Sequence, residues 1–302
     1  MPPKRPTAAT EARLAEIRRD AEAGRLPVAS AQAGYYGLPL QKSPVWTWEV
    51  PAYFFVGGAA GAVAVLGAMA QLAGADEKLV RDARRIAAIG SVLSAPLLIS
   101  DLGRPERFLY MMRIFKPQSP MSVGAWTLAV FGATAGAAAL GRNTATNIAA
   151  AGSAATGAVM ATYTGVLLGA TAIPFWAKHA RLLPVHFGAS ALGSAVSLLE
   201  LRGHRSTALS SLGLGAAVFE SITTAALETS PEPADAPLHT TLARFAGALS
   251  GPVPLALRLL GGRSRRARQL AAVATLAGSL LTRFAWVQGG KQVARPSQNN
   301  QA

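Results

Sequence analysis

The sequence predicts an all-α integral membrane protein, with eight transmembrane helices arranged as two four-helix bundles. Three observations predict it. Of the 302 residues, 51% are apolar and only 15% are charged, against roughly 25% charged in a soluble globular chain. The apolar residues fall in blocks of about 20, the length that spans a bilayer core. And the stretch "PAYFFVGGAAGAVAVL" from Pro51 is echoed by "PVHFGASALGSAVSLL" from Pro184. Aligned on the prolines, Tyr53 faces His186, Phe54 faces Phe187, Gly61 faces Ser194 and Leu66 faces Leu199. Such an internal repeat divides the chain into two halves.

Taken in order, residues 1–48 are a polar extramembrane segment with no apolar core of a signal peptide. Within it "TEARLAEIRRDAEAG" predicts a short surface helix capped near Thr10. "YYGLPLQKSPVWTW" then leads into the membrane, its Tyr and Trp suited to the interface. The first bundle, 49–173, holds spans at 50–72, 84–102, 120–140 and 146–172. The second, 174–290, holds spans at 183–201, 207–227, 241–260 and 268–288. Residues 291–302 are a polar tail. Pro252 and Pro254 predict that the seventh span is kinked or broken. Gly57/Gly61, Gly132/Gly136 and Gly247/Gly251 have the small-xxx-small spacing that lets helices approach closely.

The formal net charge is +14. The Lys and Arg residues cluster in short loops beside apolar spans, which reads as membrane topology and not as nucleic acid binding. Lys78, Arg81, Arg84 and Arg85 follow the first span, and Arg263, Arg265, Arg266 and Arg268 follow the seventh. The positive-inside rule makes those loops cytoplasmic and places both termini outside. Arg104, Arg107, Arg113 and Lys116 weigh on the opposite side. The chain has no cysteine, hence no disulfide, no thiolate nucleophile and no cysteine-held iron–sulfur cluster. Of its four histidines only His186 falls inside an expected span, so paired haem ligands are not expected.

Ionisable groups within a bilayer are costly and mark function or pairing. Glu49, Asp101, Lys178, His179, His186, Glu200 and Arg283 fall near span ends, and Glu220 lies deeper in the sixth. In an up-and-down bundle the start of span 1, the end of span 2, the start of span 3 and the end of span 4 share one face. Glu49 and Tyr53 are spaced i, i+4, Asp101 ends span 2, and Tyr163 lies in span 4. A carboxylate and two phenols can therefore converge in a pocket between helices. A carboxylate there can exchange protons. The simpler alternative is that Asp101 pairs with Arg104 and only ends its helix. Two other readings are open at this point: a secondary transporter or proton-conducting protein, which the repeat, the broken span and Glu220 suit, and a purely structural anchor.

The same residues carry a family resemblance. "LLISDLGRPERFLYMMRIFKPQSPMSVGAW" resembles the signature of the polysulfide reductase membrane-subunit family of the NrfD/PsrC type. "YYGLPLQKSPVWTWEVPAYFFVGG" is similar to the approach to its first helix, and "LLTRFAWVQGGKQ" to its last, so the likeness covers roughly residues 35–295. The resemblance implies a haem-free quinone-binding membrane anchor in the cytoplasmic membrane of a prokaryote. Its implied partners are a ferredoxin-like subunit carrying 4Fe-4S clusters and, beyond it, a molybdopterin catalytic subunit, in a complex of formate dehydrogenase-like type. Electrons would pass between those clusters and menaquinone or ubiquinone, and the chain alone would have no turnover. The implied pocket falls on Tyr53, Tyr163 and Asp101, with Asp101 handling protons and Glu49 and Arg104 beside it. Val50 stands where other members carry polar residues and cannot hydrogen-bond a quinone.

Overall fold

A computed structural model describes residues 44–102, 104–171, 173–228, 237–261 and 264–294, together with Ala15 and Arg19. Pro44–Val293 form one compact unit, and a second unit comprises Met1–Ser43 and Ala294–Ala302. The expected surface helix at 10–24 lies outside the described residues, apart from Ala15 and Arg19, which are helical.

Among the described residues the secondary structure is helical throughout, with no strand. The long helices are α1 (Glu49–Leu72), α2 (Glu77–Ser100), α4 (Pro120–Ala139), α5 (Thr144–Gly169), α7 (Leu183–Leu201), α8 (Thr207–Glu228) and α11 (Arg265–Val293). Short pieces join them: a 3-10 turn at Pro105–Arg107, α3 (Phe108–Met111) and α6 (Pro174–Ala177). The expected seventh span is two helices, α9 (Pro237–Ser250) and α10 (Pro252–Leu260). The break has a local cause. Gly251 leaves the helical region at φ −114° and ψ −85°, and Pro252 then occupies the first turn of α10, where its missing N–H costs nothing.

The remaining boundaries follow from caps. Asp76 accepts from the backbone N–H of Lys78 and starts α2, seven residues ahead of the expected start at Arg84, because two charged turns precede its apolar part. Lys78, Arg81, Arg84 and Arg85 therefore lie on a helix and not in a loop. Ser119 caps α4 with Pro120 in its first turn. Asn143 and Thr146 form a reciprocal capping box on α5. Gly74 at φ +66° and Gly203 at φ +93° supply the left-handed turns after α1 and α7.

Among the described residues five helices are long and apolar enough to cross a membrane: α1, α2, α4, α8 over Thr207–Leu227, and α11. Their outward faces are apolar, with Ile89, Val92, Leu93, Val130, Phe219, Ile222 and Val273 exposed. This is a multi-pass membrane protein. At its centre stands α1, which packs against α2, α5, α7 and α11. A helix buried on all sides needs small residues, and α1 has them. A Cβ on Gly61 would lie 2.4 Å from the Gly157 carbonyl of α5, and one on Gly157 would lie 2.6 Å from that of Gly61. Gly90 of α2 meets Ala60 in the same manner. Gly247 and Gly251 approach Thr224 and Ser221 of α8, whereas Gly132 and Gly136 have nothing within 4 Å and serve no crossing. Tyr53 and Phe54 of α1 and His186 and Phe187 of α7 are all buried.

Many buried polar groups are met internally, as an apolar solvent requires, although atoms such as Trp126 Nε1 and Thr164 Oγ1 are buried without a partner. Ser94, Ser194, Ser197, Thr275 and Thr282 each return a hydroxyl to the carbonyl four residues earlier. Arg84 is buried and ties four points together: it donates to the Ala138 and Gly141 carbonyls, Gln71 and Asn147. Asp82 binds His204 at 2.9 Å and Arg202 at 3.4 Å. Glu200 takes a two-pronged bond from Arg258 at 2.8 and 2.7 Å, joining α7 to α10.

Two outcomes follow from this packing. Gly61→Ala should lower thermal stability in detergent by about 1–3 kcal/mol, the usual cost of overpacking, while Gly132→Ala should leave it unchanged. Glu200→Gln should cost about 3–5 kcal/mol by stranding a buried Arg258, and replacing both partners with apolar residues should recover most of the loss. Thermal unfolding followed by size-exclusion chromatography reads both.

Candidate functional site

The end of α2, the start of α1, the start of α4 and the end of α5 do share one face, and a cavity of about 830 Å³ opens among them. Val50 and Phe54 of α1 form one wall, with Trp46 just before them. Leu98, Asp101 and Leu102 close the α2 side, and Met121, Ser122 and Leu167 the α4 and α5 sides. The elbow after α2 contributes Tyr110, Arg113 and Lys116. The walls are mainly apolar, with Asp101, Arg113, Lys116, Ser119 and Ser122 as polar lining residues. A planar apolar molecule with a polar head fits this distribution better than an ion or a sugar does.

Asp101 sits at the C-terminal end of α2, half-buried. It does not pair with Arg104, as the simpler expectation had it. The backbone N–H and the hydroxyl of Thr47 both approach its Oδ1 at 2.8 Å. The same hydroxyl is also in hydrogen-bond contact with Oε2 of Glu49. Thr47 therefore bridges the two carboxyl groups. It belongs to the extended segment that leads into α1, so the carboxylate at the tip of α2 fastens that segment down.

Tyr53 is buried beside Phe54, with ring centroids 5.8 Å apart. Tyr163 is buried on α5, and its hydroxyl lies over Gly124 of α4, where a Cβ would come within 2.0 Å. The two phenols are close enough to interact electrostatically. Neither ring reaches the cavity wall, although Phe54, next to Tyr53, does. Glu49 likewise stands behind the wall, and Arg104 is exposed on the elbow. The structure thus brings Asp101 to the cavity, joins Glu49 to it through Thr47, sets Tyr53 and Tyr163 together one layer back, and leaves Arg104 outside.

Several lining residues had no signal in residue spacing. Trp46 stacks on Trp176 at 5.4 Å with an 18° angle, and its carbonyl accepts from the Lys291 ammonium at 2.7 Å. Arg113 lies 5.9 Å from the ring of Tyr110. Tyr110 and Arg113 fall in the motif "FLYMMRIFKPQSPMS", and Trp46 in the stretch "YYGLPLQKSPVWTWEVPAYFFVGG".

The other ionisable candidates lie in the second half. Arg283 is not near a helix end, since α11 runs on to Val293. It is fully buried, donates to Ser190, Ser279 and the Phe187 carbonyl, and lies 4.5 Å above the Phe187 ring. Glu220 faces it across Ser190 and Ser250. His186 Nδ1 is 2.9 Å from the Thr223 hydroxyl. His179 and His186 border a cavity of about 50 Å³. Among the described residues no three His, Cys, Asp or Glu side chains gather to hold a metal ion.

Because Asn retains an Oδ1 acceptor for both groups of Thr47, Asp101→Asn should fold and assemble normally, within about 0.5 kcal/mol of wild type. Asp101→Ala removes the acceptor and should cost about 1 kcal/mol more. Thermal unfolding of the two variants checks the difference.

No curated protein matches the chain. A family described as polysulfide reductase, NrfD type, matches residues 32–295, nearly the whole of it. That span takes in the Asp101 elbow, the segment carrying Thr47 and the last helix. The chain belongs to the polysulfide reductase family of NrfD type, and with its membrane-crossing helices it is a multi-pass membrane subunit of an oxidoreductase complex.

Proposed function

We propose that the chain is the quinone- or quinol-interacting subunit of a molybdopterin oxidoreductase, of formate dehydrogenase-like type. It passes electrons between a 4Fe-4S partner subunit and the menaquinone or ubiquinone pool. The observation that carries this reading is the cavity of about 830 Å³, mainly apolar along its walls, with Asp101 in its lining. A quinone head needs a hydrogen-bonding or proton-handling group beside a long apolar surface, and both are present there. The chain contains no cysteine, and in this reading the partner brings the redox centre.

The arrangement that goes with it has eight spans in two four-helix bundles, 49–173 and 174–290. The first comprises α1, α2, α4 and α5. The second comprises α7, α8, the pair α9 and α10, and α11. The helices α5 and α7 pack against α1 and each other, and a helix shielded by its neighbours needs less apolar outward surface. Both termini lie outside the cytoplasmic membrane in this topology. Asp101 exchanges protons with the bound head group. Tyr53 and Tyr163 are the second hydrogen-bonding candidates, carried over from the resemblance. Arg104, exposed on the elbow, suits contact with the partner subunit.

A second reading, proton conduction through the second half, draws on one observation. His179 Nε2 and Glu220 Oε1 are buried without hydrogen-bond partners, and His179 borders the small cavity with His186.

Binding of a soluble quinol analogue to the assembled complex tests the main reading. Wild type should bind, and Asp101→Asn should lose at least about tenfold in quinol-linked turnover, the lower end for a lost proton-transfer group, while staying assembled. Normal binding and turnover in the variant would move the site elsewhere, beginning with Glu220 and His186. No binding in either protein would favour the proton-conducting reading.

A further inference from the structure

Asp101 and the large cavity lie at the C-terminal end of α2. Toward the other end of that helix a different arrangement begins. A groove of about 500 Å³ runs between α1, α2, α7 and α11, and every residue lining it is apolar. Small residues make its floor: Ala59 and Ala60 of α1, and Gly90 of α2, which meets Ala60. Larger residues make its rims, and Ile89, Leu93 and Val273 stand exposed there. The lining runs from Ile86 to Leu93 on α2 and from Val273 to Leu280 on α11. Such a length of helix rises about 10 Å, roughly two thirds of one leaflet of a hydrocarbon core about 30 Å thick.

Followed toward the start of α11, the apolar lining gives way to arginine. Arg265, Arg268 and Gln269 line a small cleft together with Arg205 and Ser206 of the turn between α7 and α8. Gln269 stands one turn before Val273 of the groove, on the same stripe of α11. On α7, Leu201 of the cleft follows Leu198 of the groove by one turn. On α2, the exposed Arg85 stands one turn before Ile89. Three elements thus show the same order, apolar groove and then cation. Asp82 of α2 holds His204 at 2.9 Å and so pins the turn that carries Arg205. The carboxylates at this end have partners of their own: Glu77 with Arg142, Asp82 with His204 and Arg202, Glu200 with Arg258. α11 has no carboxylate along its length. Positive charge therefore prevails where the groove meets the cleft.

We infer that groove and cleft together form a binding site for one anionic phospholipid, with an acyl chain in the groove and the phosphate at Arg205 and Arg265. A guanidinium suits a phosphate because it donates two parallel hydrogen bonds in a fixed fork. A basic pocket between membrane helices is also the setting that holds anionic head groups. The chemistry selects this occupant over three others. A second quinone head would find no hydrogen-bonding side chain in the groove. A second copy of the chain, meeting this face with its own, would set arginine against arginine. A zwitterionic lipid fills the groove equally well, but its ammonium group offsets the phosphate charge that the arginines attract. The inference stands apart from the quinone reading, since the groove and the large cavity share no lining residue.

Native mass spectrometry of the full chain in detergent tests the site. The chain is titrated with dioleoyl phosphatidylglycerol and, separately, with phosphatidylcholine carrying the same acyl chains. One phosphatidylglycerol should bind about tenfold or more tightly than phosphatidylcholine. Arg205 and Arg265 are both exposed, so the double variant Arg205→Gln, Arg265→Gln should fold as wild type does. It should bind phosphatidylglycerol about tenfold or more weakly and phosphatidylcholine unchanged. Ala277→Phe, which fills the groove from an exposed position, should weaken both lipids together. Inorganic phosphate should displace neither. Equal binding of the two lipids would overturn the site, and so would undiminished phosphatidylglycerol binding in the arginine variant. Displacement of phosphatidylglycerol by inorganic phosphate would reduce it to an anion site and overturn the part assigned to the groove. A dimer that Ala277→Phe dissociates would give the groove to a second copy and overturn the lipid.

Discussion

The contact between the backbones of Gly61 and Gly157 sets the distance between α1 and α5, and most other placements depend on that distance. With no side chain on either residue, each carbonyl lies where the other's Cβ would be. A bilayer offers no hydrophobic drive to join apolar helices, so close van der Waals approach has to supply the attraction. Drawn in this way, α1 can be surrounded by α2, α5, α7 and α11 at once. Tyr163 on α5 comes close to Tyr53 on α1, and Leu167, one turn further, reaches the cavity that Val50 and Phe54 line.

Polar groups inside this packing fall into two kinds. Those that hold helices are paired: Glu200 with Arg258, Asp82 with His204, and Arg84 with two carbonyls and two amides, although the Nε atoms of Arg84 and Arg258 have no partner. Removing one partner of such a set leaves the other unsatisfied where water does not reach, so these residues act as joints. Those around Asp101 sit at the helix ends, within reach of water, and their bonds can be exchanged at low cost. Proton handling calls for the second kind. Asp101 and Glu49 lie at helix ends, whereas Asp82, Arg84 and Glu200 act as the joints.

Much of this was legible in the sequence, for stated reasons. The bounds of α7 coincide with the expected 183–201, and α4 begins at the expected 120 because Ser119 and Pro120 are unambiguous start signals. The broken seventh span was readable from Pro252 and Pro254. The shared face of Asp101 with the ends of α1, α4 and α5 followed from alternating helix directions alone. Other features were not readable. The start of α2 was placed late because apolarity marks the membrane part of a helix and not its charged first turns. Gly132 and Gly136 have the spacing of a crossing but face no helix, since spacing does not say which side of a helix has a neighbour. Thr47 lies in an extended segment with no periodicity, so nothing local distinguishes it. Its role appears only once the distant Asp101 is brought to it.

Every described residue that lines the large cavity comes from the first half of the chain, Trp46 to Leu167. What steadies its outer wall does not. Trp46 rests flat on Trp176, whose indole N–H is in turn fixed to the Trp286 carbonyl, and Lys291 grips the Trp46 backbone. Those three supports lie in α6 and α11. The chain therefore separates ownership of the chamber from its bracing. A fragment ending near residue 173 would keep every lining side chain and lose the buttress behind Trp46. The second half, even if it handles neither quinone nor proton, would still be needed for the first to keep its shape.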